Sequence, residues 1–352
     1  MPESARKPAT AARATTPGGA KVERLQSTGY LRSSSRGGKF RYAAADGARP
    51  DAAQLDRIRR LAVPPAWTDV AIARAESAAL QAVGRDRAGR WQYLYHPSQV
   101  RAREERKRKR LAAFIRALPA LRVQIDEGLR GSGLSRDRVM CAILRILSVN
   151  FLRPGSKAYA EQNDSYGLAT LRRRHVSVRG SRIFFDFPGK GGKRQRHEIV
   201  DAGVASVVRG LLQVSGREVF QYRNGDGSFV NVRRRDINAY IREVMGRRFT
   251  AKDFRTWAGT VLCTARLGNR TLVEPVTRRQ RRRCLAEELK HVAAALGNTP
   301  AVCRASYVSP VVLDAFERGR LPGRIRPVHL PALARQKTLS PAERAVLKLL
   351  EA

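Results

Sequence analysis

Four short stretches of this sequence carry side chains that chemistry could use. Arg153 stands in FLRPG (151–155), Lys190 in GKGG (189–192), Arg255 in TAKDFRTW (250–257), and Asn298 and Tyr307 in LGNTPAVCRASYV (296–308). Breaking a phosphodiester without a metal needs a nucleophile, cations to neutralise charge developing on the phosphoryl oxygens, and an acid to protonate the leaving oxygen. A phenol, two guanidiniums, an ammonium and an amide meet that description. Each stretch is modest alone. Arg153 is thrown outward where a helix ends beside a Gly turn, and Lys190 sits at a flexible hairpin tip of the kind usually just solvated. Thr250 and Asp253 form a capping box that puts Arg255 in the first turns of a helix, where a cation opposes the helix dipole and so suggests a role. Gly297 ends one helix, Thr299 and Pro300 start another, and Tyr307 lies about two turns along it.

The composition names the partner class. Across 352 residues, 69 Lys+Arg against 30 Asp+Glu leave a net charge of +39, which calls for a polyanion bound with release of its counterions. Double-stranded DNA is the expected partner. A membrane is not, because there is no long apolar run and no strongly apolar Lys-faced amphipathic stretch. Cys141, Cys263, Cys284 and Cys303 form no CxxC pair, so neither a zinc site nor a disulfide framework is indicated and a cytoplasmic, nucleoid-associated setting is expected. No carboxylate or Cys/His cluster has metal-ligand spacing, and no GxxxxGK[ST] motif is present, so neither a metal nor a nucleotide cofactor is expected. A single copy is expected to act as a monomer.

The elements that must position these groups read as an α+β protein: a small β-rich N-terminal domain and a larger, mainly helical catalytic domain containing a three-stranded meander. Residues 1–22 lack an apolar core segment and read as a disordered basic arm rather than a secretory signal. Residues 23–100 form the β-rich domain, with strands around Tyr30 and Phe40, a helix over 51–61, a short strand at 70–73 and a Gly-punctuated turn from Gly84 leading into WQYLY (91–95). There Arg90, Gln92, Tyr93 and Tyr95 interleave aromatic and polar groups as a DNA-facing strand would. The basic run 101–110 (RAREERKRKR) lies on a helix over 101–117 that links the domains. The catalytic domain spans 118–315. Ser135 caps a helix that ends near Arg153, HVSV, RIFFDF and RQRHEIV form the meander, and helical spacing resumes over 205–212, 232–245, 254–267 and 285–296. Residues 316–352 read as a Pro-containing tail with a last amphipathic piece at 341–350.

In that order, the four stretches resemble the catalytic set of type IB DNA topoisomerases of the bacterial and poxvirus-like branch. The likeness runs from about residue 30 to about 313 and is strongest in FLRPGSKAYAEQNDSYGLATLRRRHV (151–176), FPGKGGK (187–193), KDFRTWAGT (252–260) and LGNTPAVCRASYV. The resemblance implies that Tyr307 attacks the scissile phosphate, giving a 3′-phosphotyrosyl link and a free 5′-hydroxyl. Arg153 and Arg255 would clamp the non-bridging oxygens, a task suited to a planar, permanently charged fork. Lys190 would protonate the 5′ oxygen, with Arg153 possible as a relay. Asn298 stands where relatives carry histidine, and an amide can donate a hydrogen bond there without adding charge. The resemblance also places Gln92, Tyr93 and Tyr95 on the DNA-facing surface of the small domain, which in the family closes with the catalytic domain as a C-shaped clamp. Tyr159, Asn163, Tyr166 and Gly167 match a family stretch beside Arg153 and are read as packing and backbone-positioning residues. A tyrosine recombinase shares the chemistry on a related fold, but the β-rich N-terminal domain and the KDFRT setting of Arg255 favour a topoisomerase. A purely architectural DNA binder would account for the charge and not for the ordered set.

Overall fold

The computed structural model describes residues 19–34, 39–246, 249–270, 276–325 and 328–352. Most of the expected basic arm, and residues 35–38 between the strands around Tyr30 and Phe40, lie outside the described residues. The chain divides into two compact units, Met1–Arg106 and Lys107–Ala352.

The first unit is a five-stranded antiparallel sheet with helices on its two faces. In chain order it holds α1 (Gly19–Thr28), β1 (Tyr30–Ser34), β2 (Phe40–Ala44), α2 (Ala52–Arg60), β3 (Thr68–Ile72), β4 (Leu80–Arg85) and β5 (Trp91–Tyr95), with spatial order β2-β1-β3-β4-β5. The arm boundary at residue 22 moves back, because Val22 and Leu25 of α1 are buried with Ala71, Ala73 and Val83. Ile58 of α2 packs with Tyr30, Val70 and Ile72 in a second cluster. Alternation along β3 thus feeds both apolar layers. Asp51 closes a capping box with Gln54, which starts α2 where the sequence marks it. Gly84 is a strand residue and not a turn. A Cβ there would lie 2.8 Å from the Trp67 ring and 2.9 Å from Val70, so only glycine lets the strand pass.

In the second unit the core begins earlier than residue 118. A single helix, α3 (Pro97–Arg130), runs through Pro119, and Leu111, Phe114, Ile115, Leu118, Leu121 and Ile125 form one buried stripe at helical spacing. The linking helix over 101–117 is therefore the first half of a core helix. Ser135 caps α4 (Arg136–Asn150), which is apolar almost all round and buried along its length. Then follow α5 (Lys157–Asn163), the meander β6 (Val176–Arg179), β7 (Arg182–Pro188) and β8 (Arg194–Val200), α6 (Ala202–Leu211), a small hairpin of β9 (Gln221–Arg223) and β10 (Phe229–Asn231), α7 (Arg234–Met245), α8 (Ala251–Gly268), α9 (Arg278–Ala295), α10 (Pro300–Ser306), α11 (Pro310–Glu317), α12 (Leu330–Leu333) and α13 (Pro341–Glu351). No helix among the described residues is long and apolar enough to cross a membrane.

The C-terminal segment is built into this unit and is not a tail. Val312, Leu313 and Phe316 of α11 and Ala342, Val346 and Leu350 of α13 are buried. Glu343, capped in the first turn of α13 by Ser340, has its carboxylate buried between Arg122 Nη2 at 2.5 Å and the Trp257 indole N–H at 3.0 Å. Trp257 stands two residues after Arg255, so α13 braces the helix that carries a candidate site residue. Removing the carboxylate would strand a buried guanidinium and an indole donor. Glu343→Ala is expected to lower unfolding free energy by about 3–5 kcal/mol in urea denaturation. A loss under about 0.5 kcal/mol, the level of a neutral surface change, would contradict this role.

Candidate active site

Arg153 is held by its backbone before its side chain makes any contact. Helix α4 ends at Phe151 in the left-handed conformation (φ 52°), a costly state for a bulky residue that turns the chain sharply outward. The next residues cross segment 167–169: Leu168 N–H donates to the Arg153 carbonyl at 3.0 Å and Ala169 N–H to that of Pro154 at 2.8 Å. Gly167 allows the crossing, since a Cβ there would sit 2.5 Å from the Arg153 carbonyl oxygen and 2.5 Å from the Gly155 nitrogen. The half-buried Arg153 guanidinium donates to Asn298 Oδ1 at 2.6 Å. Burial, and then repulsion from Arg255, lower its pKa from the ordinary value.

Arg255 is 4% exposed and reaches across three segments. It donates to the carbonyls of Phe151 and Leu296, the latter at 2.7 Å. These residues are the C-caps of α4 and α9, so a cation placed unfavourably in its own helix is met by the negative ends of two others. Its guanidinium lies 4.8 Å from the centroid of the Tyr307 ring, and its Nε–H is buried with no partner among the described residues. Asn298 follows the left-handed Gly297, its backbone N–H closing α9 on the Ala293 carbonyl at 2.9 Å. With Oδ1 engaged by Arg153, the Asn298 amide Nδ2 is buried and without a partner among the described residues. Arg255 and Asn298, both tied to the end of α9, thus each hold a buried donor without a partner among the described residues, an arrangement suited to an oxyanion.

Tyr307 is the C-cap of α10, half-buried, with its N–H on the Cys303 carbonyl at 2.9 Å. The Thr260 hydroxyl donates to the Tyr307 carbonyl at 3.3 Å and accepts from Ser309 N–H at 3.1 Å. A Cβ at Gly259 would lie 2.6 Å from that same carbonyl. Gly259 and Thr260, about one turn beyond Arg255, therefore seat the Tyr307 backbone, a duty that reading Arg255 alone does not reveal. Lys190 is exposed in a tight turn between β7 and β8, where Gly191 and Gly192 both have positive φ. The turn is pinned by Ser165 Oγ on the Gly189 carbonyl at 2.7 Å.

The groups converge. Arg153, Lys190 and Arg255 line one open, shallow cleft, together with Phe151, Tyr166, Phe187, Gln195, His197 and Leu296. Asn298 joins it through Arg153, and Tyr307 through Arg255. Gln195 and His197 were not singled out by their motifs; period-2 alternation along β8 puts both on the face that lines the cleft. Two neighbours of Arg153 correct the packing expectation, since Tyr159 is 57% exposed and Asn163 is also exposed on α5. Tyr166 and Gly167 do pack and position backbone as expected. In the first unit, Tyr93 and Tyr95 share a face with ring centroids 6.2 Å apart. Gln92 alternates to the other face, and both it and Arg90 donate to Asp86 Oδ2, at 2.9 and 3.0 Å.

Residues 98–314 match the family model described as eukaryotic DNA topoisomerase I, catalytic core, and residues 39–86 match bacterial DNA topoisomerase IB, N-terminal domain. The chain is 34% identical over 268 residues to DNA topoisomerase 1B of Acanthamoeba polyphaga mimivirus, covering 75% of this chain and 80% of the relative. It belongs to the type IB DNA topoisomerases. DNA topoisomerase 1B of Vaccinia virus (strain Copenhagen) is 23% identical over 236 residues, 66% of this chain and 71% of the relative. This topoisomerase thus has its family-model match to the catalytic core on the unit that contains the cleft, and a match to the bacterial N-terminal domain on the β-rich unit.

Gly167→Ala tests the crossing in this topoisomerase. The φ of Gly167 is −158°, which any residue adopts, so only the space is lost. Displacing Arg153 by about 1 Å is expected to slow covalent adduct formation about 100-fold while duplex binding persists. An unchanged rate of adduct trapping would show that the crossing does not set Arg153.

Proposed function

We propose that this chain relaxes supercoiled duplex DNA with Tyr307 as its nucleophile. The Tyr307 phenol gives up its proton to solvent as its oxygen attacks the scissile phosphorus, the bond from phosphorus to the 5′ oxygen breaks, and a 3′-phosphotyrosyl link forms. Lys190 gives its proton to the departing 5′ oxygen. Arg153, the unpaired Arg255 Nε–H and the unpaired Asn298 amide bind the oxygens on which charge develops. The freed strand swivels, the 5′-hydroxyl attacks the phosphotyrosine and returns its proton to Lys190, the bond from phosphorus to the Tyr307 oxygen breaks, and that oxygen regains a proton from solvent. The phosphodiester energy is stored in the covalent link, so the cycle uses neither ATP nor an obligatory metal.

The observation that carries this reading is the convergence of Arg153, Lys190 and Arg255 on one cleft, with the Tyr307 ring against Arg255 and the Asn298 amide on Arg153. The net charge of +39 supports DNA as partner, bound through many phosphates. The exposed Tyr95 and the stacked Tyr93 are proposed to face DNA, with Arg90 and Gln92 ordered on Asp86 at the same strand. We further place the protein in the bacterial cytoplasm, on the nucleoid, acting as a monomer. The free, buried state of all four cysteines agrees with a reducing compartment.

A plasmid relaxation assay with denaturant trapping of the adduct tests the proposal. The wild-type protein is expected to relax plasmid with a chelator present and no nucleotide, and Tyr307→Phe to bind duplex while giving neither relaxation nor adduct. Relaxation by the phenylalanine variant would overturn the assignment of the nucleophile.

A further inference from the structure

Gln195 and His197 line the cleft without a part in the scheme above, and His197 is a group that can change charge near neutral pH. His197 lies on β8 with its ring stacked on Phe187, centroids 6.5 Å apart and planes 27° apart, and its Nε2 3.5 Å from Gln195 Oε1. Gln195 is itself wedged between the two glycines that flank the candidate groups. A Cβ on Gly189, beside Lys190, would lie 2.6 Å from Gln195 Cγ, and one on Gly297, beside Asn298, 2.8 Å from its Oε1. The imidazole is therefore oriented by a side chain that touches both the lysine turn and the asparagine junction. Its Nδ1 has no hydrogen-bond partner among the described residues.

The charged groups on this cleft are all cationic. Arg255 comes from α8, Arg153 from the loop after α4, and Lys190 from the turn before β8. The facing positions on β7 are Phe185 and Phe187, α4 contributes Asn150, and the end of α9 contributes Leu296. The nearby acids belong to the opposite face of the meander, where Asp186 pairs with Arg194 and Arg196, and Glu198 with Arg182. Burial and then the charge of Arg255 lower the His197 pKa, which favours the neutral ring in the free protein. A polyanion in the cleft reverses that field. DNA brings the scissile phosphate and its neighbours against the same cations, and the pentavalent phosphorus carries more negative charge than the ground state.

We propose that His197 is a positioning residue of the phosphate site that takes up a proton when duplex DNA enters the cleft, adding positive charge that the neutral Asn298 amide does not supply. This rests on the reaction proposed above. The ring acts on the field around Arg153 and Arg255, oriented through Gln195, and forms no covalent bond.

The test combines two measurements on the full chain. Single-turnover adduct formation at saturating duplex is followed from about pH 5.5 to 8.5, a range that brackets the ordinary imidazole pKa, for the wild type, His197→Asn and His197→Phe. Heats of duplex binding in buffers of different ionisation enthalpy, with Tyr307→Phe blocking chemistry, count the protons taken up. The expected result is a wild-type rate about tenfold above either variant near pH 6, an excess that shrinks as pH rises past about 8, and proton uptake that His197→Asn abolishes. His197→Phe keeps the stack on Phe187 and should behave like His197→Asn. A ratio constant across pH, a phenylalanine variant equal to wild type, or no proton uptake by a histidine-bearing chain would each overturn the proposal. The last of these needs no His197 variant to fold. Failure of the wild type to form any adduct would instead sink the reaction scheme itself.

Discussion

A buried guanidinium organises the catalytic unit. Arg255 has almost no contact with solvent, and an isolated charge so placed would cost several kcal/mol. The cost is offset by two carbonyls at the C-terminal ends of α4 and α9, and by the face of the Tyr307 ring. Each of these partners sits at a place where the chain must turn toward the cleft: Phe151 just before Arg153, Leu296 just before Gly297 and Asn298, and Tyr307 at the end of α10. Satisfying one arginine therefore fixes the relative positions of three site segments. The left-handed backbone of Phe151 is tolerated in the same setting, with its carbonyl on Arg255 and its ring 6.0 Å from that of Trp257.

The brace behind α8 extends this logic outward. Trp257 donates to Glu343, Glu343 pairs with Arg122 of α3, and α3 packs its apolar stripe into the core. The chain's last helix thus supports the helix that carries the arginine, although it lies beyond the residues that match the family's catalytic core. The large excess of positive charge serves a different purpose. Much of it is solvated and available to phosphates, whereas the few deeply buried arginines are paired with acids or carbonyls, as Arg145 is with Asp126, Asp201 and the Ala334 carbonyl.

The meander and most helices are legible in the sequence because their signals are local: alternating Ile183, Phe185 and Phe187 between glycine turns, or Ser135 capping an apolar run. β4 is not, since Leu-Gln-Ala-Val-Gly-Arg is poor in branched residues and Gly84 mimics a turn, while the Trp67 ring that requires glycine is distant in sequence. β9 and β10 are three residues each, too short for a period. The candidate site residues stand out by their motifs, but what holds them does not. Reading Arg255 against its own helix dipole gives an unfavourable charge; the compensating carbonyls lie 104 and 41 residues away. The same distance problem makes 316–352 look like a tail, because the acceptor for Arg122 is 221 residues downstream. Tyr159 and Tyr166 are equivalent in type, and only the fold separates the exposed ring from the buried one.

The central claim is that two buried, unpaired donors await the phosphoryl oxygens around a nucleophile held by Arg255. A crystal structure of the protein on nicked duplex with vanadate in place of the scissile phosphorus tests it most directly. The account predicts vanadium bonded to the Tyr307 Oη, Arg255 Nε and Asn298 Nδ2 each within hydrogen-bond distance of an equatorial oxygen, and both Arg255–carbonyl bonds retained. Vanadate bonded elsewhere, or bound at Tyr307 with those two donors still unengaged, would contradict it.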